Sequence, residues 1–313
     1  MIIENQEQVT EAVLSELERI KDPRLREVLS AAVRHLHEFA REVQLSEAEF
    51  RRGCAILAQA GQLTTKSHNE MVLLAGTMGI SSLVCLLNNG RDRDETTANL
   101  LGPFWREHAP VTENGGSIVR STTIGTPLFV TAWVEDTDGN PVTDAEVDVW
   151  NTSAEGLYEN QDLTQADMNL RGKFRTDNNG RINFSTVKPA AYPVPVNGPV
   201  GDLLKVQGRA NMRPAHMHFL IHKPGYKTHI SQVYVNDDPY LETDAQFGVT
   251  RTLIGDYVYH ENEPAPHPEV TGPWYSLDFT FTMEPGDDSL PLAPISGRTE
   301  GDQRPEQVVW ERS

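Results

Sequence analysis

The spacing of apolar residues changes period near Leu100, and that change limits the chain to a helical part followed by a sheet part. Val9, Val13, Leu17 and Ile20 recur at helical spacing, with Glu11, Glu16 and Glu18 on the other faces. Asp22-Pro23 ends this run, and Leu25, Val28, Leu29, Val33, Leu36 and Phe39 form a second stripe. Ser46 and Glu49 have the spacing of a capping box, which predicts a third helix through Phe50, Cys54 and Leu57. Glu70 to Met78 and Ser81 to Leu87 are apolar enough for two more, with Asn88-Asn89-Gly90 ending the last. Helices with such faces form a small unit that needs another surface to bury against, either sheets or a second subunit.

Beyond Leu100 the apolar runs shorten and alternate, and Gly and Pro become frequent. Leu128 to Val134 and Glu146 to Trp150 read as strands. Lys173 to Thr176 and Arg181 to Val187 flank Asp177-Asn178-Asn179-Gly180, a hairpin signal. His216 to His222, His229 to Val235 and Trp274 to Met283 complete the candidate strands. Many short strands with turn-rich links predict a β-sandwich or barrel. The expected fold is therefore α+β, with a helical domain over residues 1–100 and an all-β sandwich over 101–313. Its polar, Pro-rich tail is expected to wrap the surface or fray.

A formal charge of −18 repels phosphate backbones and argues against a nucleic-acid partner. Cys54 and Cys85 lie in apolar, helix-like stretches and read as small core residues rather than as a disulfide framework or zinc site. The first residues, MIIENQEQVTEAV, lack the basic and apolar regions of a signal peptide, and no window has the length of a membrane-spanning helix. The cytoplasm is the expected location. The charge runs Glu47/Glu49 and Asp92/Arg93/Asp94/Glu95 read as solvated faces or linkers.

The densest chemical signal is Arg213-Pro214-Ala215-His216-Met217-His218-Phe219. Residues two apart on a strand share a face, so His216 and His218 present two imidazoles side by side while Met217, Phe219 and Ile221 point into packing. Such a pair suits iron, copper, nickel or zinc, or is simply two satisfied histidines. His222 continues the same face but precedes a Lys-Pro-Gly turn, and reads as structural or exposed. Tyr158, in Gly156-Leu157-Tyr158, and Tyr192, in Ala191-Tyr192-Pro193, each sit just past a strand, where loops place functional side chains. A phenolate is a hard anionic ligand that favours a ferric ion, although a lone tyrosine is more often half-buried packing.

The segments Asp148-Val149-Trp150-Asn151, Gly156-Leu157-Tyr158, Leu170-Arg171-Gly172-Lys173-Phe174, Tyr192-Pro193 and Arg213 to Phe219 resemble the intradiol ring-cleavage dioxygenases, over about Leu101 to Ile254. Within that family the chain looks most like the hydroxyquinol-cleaving branch, on Tyr192-Pro193-Val194-Pro195, Asn197 to Leu204, and Asp238-Pro239-Tyr240 with Phe247-Gly248-Val249. The resemblance implies Fe(III) held by Tyr158, Tyr192, His216 and His218. Tyr192 is then the ligand that leaves as the substrate chelates, Arg213 lies beside the bound diolate, and Gln232 is an active-site glutamine. It also implies O2-dependent opening of hydroxyquinol to maleylacetate, with Leu73, Gly76, Trp105, Pro193 and Val194 around the substrate; Trp105 and Arg106 line the mouth of the site or serve packing, and both readings stay open. A homodimer through the N-terminal helices, with phospholipid between them, is implied as well.

Two features depart from the family pattern. Gly76 stands where that helix often carries an aspartate, and the loop Gly102 to Pro110 is bulkier and more charged than usual. Three readings stay open beside the principal one. Catechol or a substituted catechol is the substrate; a ferrous oxygenase uses the two histidines with Glu155 or Asp162; or the sandwich binds a metal or aromatic ligand without turnover.

Overall fold

The computed structural model describes residues 2–65, 67–88, 96–299 and 307–311. The chain divides into two compact units, Met1–Ala58 and Gln59–Ser313. Asn89, Gly90 and the 92–95 charge run lie outside the described residues.

The first unit contains α1 (Gln6–Leu17), α2 (Pro23–Glu42) and most of α3 (Glu47–Leu63). Each start has a local cause. The Asn5 side chain accepts from Gln8 N, and Asp22 accepts from Arg24 N and Leu25 N ahead of Pro23. The capping box closes, with Ser46 N donating to Glu49 and Glu49 N donating to Ser46 Oγ. Neither α1 nor α2 buries a residue, and Leu36 and Phe39 are 65% and 51% exposed. Cys54, expected in a core, is exposed on α3, whose face there is uncovered among the described residues; Cys85 is half-buried and the two form no disulfide.

In the second unit α4 (Glu70–Thr77) and α5 (Ile80–Asn88) precede the sheets. One sheet has β1 (Pro127–Asp136), β4 (Arg181–Val187), β10 (Tyr257–His260) and β11 (Trp274–Met283), in the order β10-β11-β1-β4. The other has β2 (Glu146–Asn151), β3 (Arg171–Arg175), β7 (His216–His222), β8 (His229–Val235) and β9 (Ile254–Gly255), in the order β3-β2-β7-β8-β9. A short ladder pairs β5 (Tyr192–Pro193) with β6 (Met212–Arg213), and α6 (Pro199–Val206) lies between them in sequence. The inner faces share one core. Leu128, Val130, Ala132 and Val134 from β1 meet Val147 and Val149 from β2, and Met217, Phe219 and Ile221 from β7. Met217 and Phe219 thus point as the alternation predicts, leaving the opposite face of β7 to His216 and His218.

The expected 177–180 hairpin is not formed. Its turn closes locally, with Asp177 N donating to Arg181 O and Gly180 at φ +70°, but β3 pairs with β2 while β4 pairs with β1. The turn is an arch between sheets. Phe174 and Phe184 explain this, since they stack at 4.9 Å from opposite sheets and both belong in the core.

The tail wraps rather than frays where it is described. Ile295 is buried, Arg298 donates to the carbonyls of Glu159, Asp162 and Gln165, and Trp310 N donates to Asn211. Among the described residues no single helix is long and apolar enough to cross a membrane.

Candidate metal centre

Four side chains converge above the outer face of β7. His216 Nε2 lies 3.1 Å from His218 Nε2, and His218 Nε2 lies 3.1 Å from the Tyr158 hydroxyl. His216 Nε2 is 3.5 Å from the same hydroxyl. The Tyr192 ring stands edge-on to Tyr158 at 5.5 Å and 5.7 Å from His216. Tyr158 is brought in by the loop after β2, and Tyr192 by β5, whose register partner is Arg213. All four are buried.

The ring nitrogens are set by local geometry. His216 Nδ1 lies 2.7 Å from the Pro214 carbonyl, which fixes the proton there and leaves Nε2 as a lone pair. His218 has no such partner at Nδ1 among the described residues. Its plane is held instead by Trp150, stacked at 4.6 Å and 8°. Burial, then the neighbouring Arg213 charge, pushes His216 down to about 3, and burial followed by His216 pushes His218 well below its ordinary range. Both imidazoles are therefore neutral. Burial, then Tyr192, raises the Tyr158 phenol well above its usual value, so it releases its proton only to a strong local cation.

Arg213 lies beneath this group, with Nη1 3.4 Å from His216 Nε2. Asp244 clamps it, accepting from Nε at 3.1 Å and Nη2 at 3.3 Å, while Gln232 Oε1 and the Tyr234 hydroxyl take further contacts at 2.9 and 3.0 Å. Burial opposes both charges of the Arg213–Asp244 pair, but each outweighs that penalty for the other, so the guanidinium holds its proton more tightly and the carboxyl stays ionised. Gln232 is spent on this scaffold, since its Nε2 donates to Leu100 O at 2.6 Å. It positions Arg213.

A cavity of about 610 Å³ opens beside the centre, lined by Tyr192, Arg213, Leu73, Val194 and Phe104 among others. Tyr192 also lines a second cavity of about 620 Å³ together with Pro193 and Val194. Tyr158 lines neither. Trp105 lines neither either; its indole donates to Asp148 at 3.2 Å and it is 4% exposed, so it serves packing. Arg106 does not guard the mouth but joins Glu159 and Asp167.

Residues 100–282 match the family described as Dioxygenase, and residues 22–96 match the family described as Catechol dioxygenase N terminus. This chain belongs to the intradiol ring-cleavage dioxygenases. It is 37% identical to the hydroxyquinol 1,2-dioxygenase of Nocardioides simplex, over 90% of this chain and 96% of that one. It is 37% identical to the 6-chlorohydroxyquinol 1,2-dioxygenase of Cupriavidus pinatubonensis, over 90% and 98%. The crystal structure of hydroxyquinol 1,2-dioxygenase from Pseudomonas putida DLL-E4 superposes with a TM-score of 0.80 at 35% identity, covering 90% of this chain and 99% of that one.

As an intradiol dioxygenase the chain is expected to hold non-haem iron, and the donor set fits. Two neutral imidazole nitrogens and a buried hydroxyl lie 3.1–3.5 Å from one another, the mutual spacing of donors each about 2 Å from one shared ion. Among the described residues no group of three His, Cys, Asp or Glu could hold a metal, so Glu155 and Asp162 do not complete a ferrous site with the histidines. Sequence reading missed Asp244, Trp150 as the support of His218, and Gln246, which lines the 610 Å³ cavity. Trp150 lies in a segment that carries the resemblance, but its support of His218 comes from the β2–β7 register; Asp244 and Gln246 belong to no pattern read in the sequence.

Proposed function

We propose that this chain uses Fe(III), held by Tyr158, Tyr192, His216 and His218, to open hydroxyquinol between its adjacent hydroxylated carbons. Both atoms of O2 enter the product, a 3-hydroxy-cis,cis-muconate that is the enol of maleylacetate. The observation that carries this reading is the convergence of two tyrosines and two neutral imidazoles beside a cavity that also receives Arg213. When bound, the ferric ion supplies Lewis acidity and draws electron density from the chelated diolate. The protein's part is to bind and to place charge. Tyr192 is the ligand at the cavity wall and Tyr158 is not, which suits Tyr192 to take a substrate hydroxyl proton and swing away. Arg213, fixed by Asp244 and Gln232, holds positive charge where the ring oxygens lie; preorganised groups of this kind contribute roughly 2–4 kcal/mol. Leu73, Phe104 and Val194 give the cavity its apolar walls and exclude water.

Catechol is the second reading, favoured by the likeness to catechol 1,2-dioxygenase from Pseudomonas arvilla C-1, with a TM-score of 0.79 at 26% identity. The relatives at 37% identity favour hydroxyquinol. We assign dimerisation to residues 1–100, where the uncovered faces of α1 and α2 suit a second copy, with phospholipid between the helices. The test is the visible spectrum and oxygen uptake of the iron-loaded protein. A broad tyrosinate-to-iron band that Tyr158→Phe weakens and shifts, with one O2 consumed per hydroxyquinol, is expected. A colourless iron protein, or no uptake with either ring, overturns the proposal.

A further inference from the structure

Helix α4 carries a glycine at its buried face, and a side chain from the opposite end of the sequence fills the space. A Cβ on Gly76 would lie 1.8 Å from Gln246 Oε1 and 2.8 Å from its Cδ. The Gln246 amide therefore crosses the helix surface where any other residue at 76 would stand. It is held there. Its Nε2 donates to Thr77 Oγ1 at 2.8 Å, its backbone N donates to Asp244 Oδ1 at 3.1 Å, and its carbonyl accepts from Ser82 Oγ at 3.0 Å. Gln246 is 6% exposed and lines the 610 Å³ cavity with Arg213, Tyr192 and Leu73. Among the described residues its Oε1 makes no hydrogen bond, and it is not one of the fully enclosed unpartnered atoms. The amide oxygen rests against Gly76 in a residue that lines the cavity, and an acceptor there without a partner wants a donor.

We infer that Gln246 selects the ring substituent of the substrate, accepting a hydrogen bond from a neutral donor, a hydroxyl or amino group, on the ring held beside Arg213. This rests on the ring-cleavage reading above and specifies its substrate class. A carboxylate substituent is disfavoured at this amide, because it has no proton to give Oε1. Because the amide is positioned by Thr77 and by its own backbone, it meets the substituent without reorganising.

The test compares binding of 1,2,4-trihydroxybenzene with catechol to the iron-loaded protein under argon, by calorimetry, in wild type, Gln246→Met, Gln246→Glu and Gly76→Ala. Wild type is expected to bind the triol about five- to tenfold more tightly, the range of one hydrogen bond. Gln246→Met removes the acceptor at similar volume, and Gly76→Ala displaces the amide without touching residue 246, so both should bring the ratio close to one with catechol binding retained. Gln246→Glu keeps an acceptor and should keep a preference. The proposal is overturned if wild type shows no preference, or if Met and Ala leave it intact. Loss of binding for both rings alike in Met and Ala also overturns it, since that marks packing alone. Oxygen uptake by wild type with the same two rings tests the ring-cleavage reading separately: failure there with a ratio that still responds to Gln246 would sink the activity and not the contact.

Discussion

Asp244→Ala should destabilise the sheet-containing unit far more than an ordinary surface carboxylate. Asp244 and Arg213 side chains are each 3% exposed. The carboxylate takes four hydrogen bonds, two from Arg213 and one each from Gln246 N and Gly248 N. Removing it leaves a buried guanidinium with only neutral partners, Gln232 and Tyr234, and two backbone donors without acceptors. Breaking one side of a buried pair costs about 3–5 kcal/mol. Asp244→Asn keeps the shape and one acceptor but loses the charge, and about half that loss is expected, on the order of 2 kcal/mol. The control is Asp237→Ala. Asp237 pairs with Lys188 at 3.0 Å but is 62% exposed, and about 0.5 kcal/mol or less is expected.

The assay is urea unfolding of the iron-loaded protein followed by tryptophan fluorescence. Trp105, Trp133, Trp150, Trp274 and Trp310 all lie in the unit Gln59–Ser313, so the signal reports that unit. With a slope of about 3 kcal/mol per molar, Asp244→Ala should lower the midpoint by about 1–1.7 M. A midpoint within the error of Asp237→Ala would mean that Arg213 finds another anion or water. The claim that Asp244 fixes the guanidinium beside His216 would then fail.

Two further outcomes follow from the same geometry. Burial, then Lys227, lowers His229 to about 4. Below about 6.5 the unfolded chain takes a proton that the native imidazole refuses, so stability present at neutral pH is lost as pH falls from about 6.5 to about 4, by about 3 kcal/mol; His229→Leu should flatten the stability curve by that amount across this window, and an unchanged slope would refute the assignment. Trp150→Leu should loosen His218 and weaken iron retention against a chelator by roughly tenfold, whereas Trp150→Phe, which keeps a stacking face, should retain it. Equal retention in both would show that the stack does not hold the ligand.

The parts of the site that were legible in the sequence share one property: each is encoded within a few residues. His216 and His218 face one way because a strand has a period of two, and Arg213 was placed by lying three residues upstream. Tyr158 and Tyr192 became candidates only through the company of these motifs. The arch at 177–180 was misread because a turn sequence encodes reversal of the chain and not which strands pair afterwards; that was decided by Phe174 and Phe184 meeting across the core. Gly76 read as a missing carboxylate. Its meaning depends on a side chain reaching Thr77 from 169 residues away, and no local pattern predicts such a contact.

The loop carrying Asp244, Gln246 and Gly248 joins two tasks that could have been separate. Asp244 directs the guanidinium toward His216, one of the proposed metal ligands, and two residues later Gln246 lies over Gly76 at the cavity wall. The backbone amides of Gln246 and Gly248 both donate to the carboxylate that holds Arg213. Any shift of this loop must therefore move the fixed positive charge and the substituent-reading amide together. Selectivity for the ring and stabilisation of its developing charge are mechanically coupled here. An alteration at Gln246 that keeps the backbone bonds should change which ring binds, while one at Asp244 should change both which ring binds and how fast it reacts.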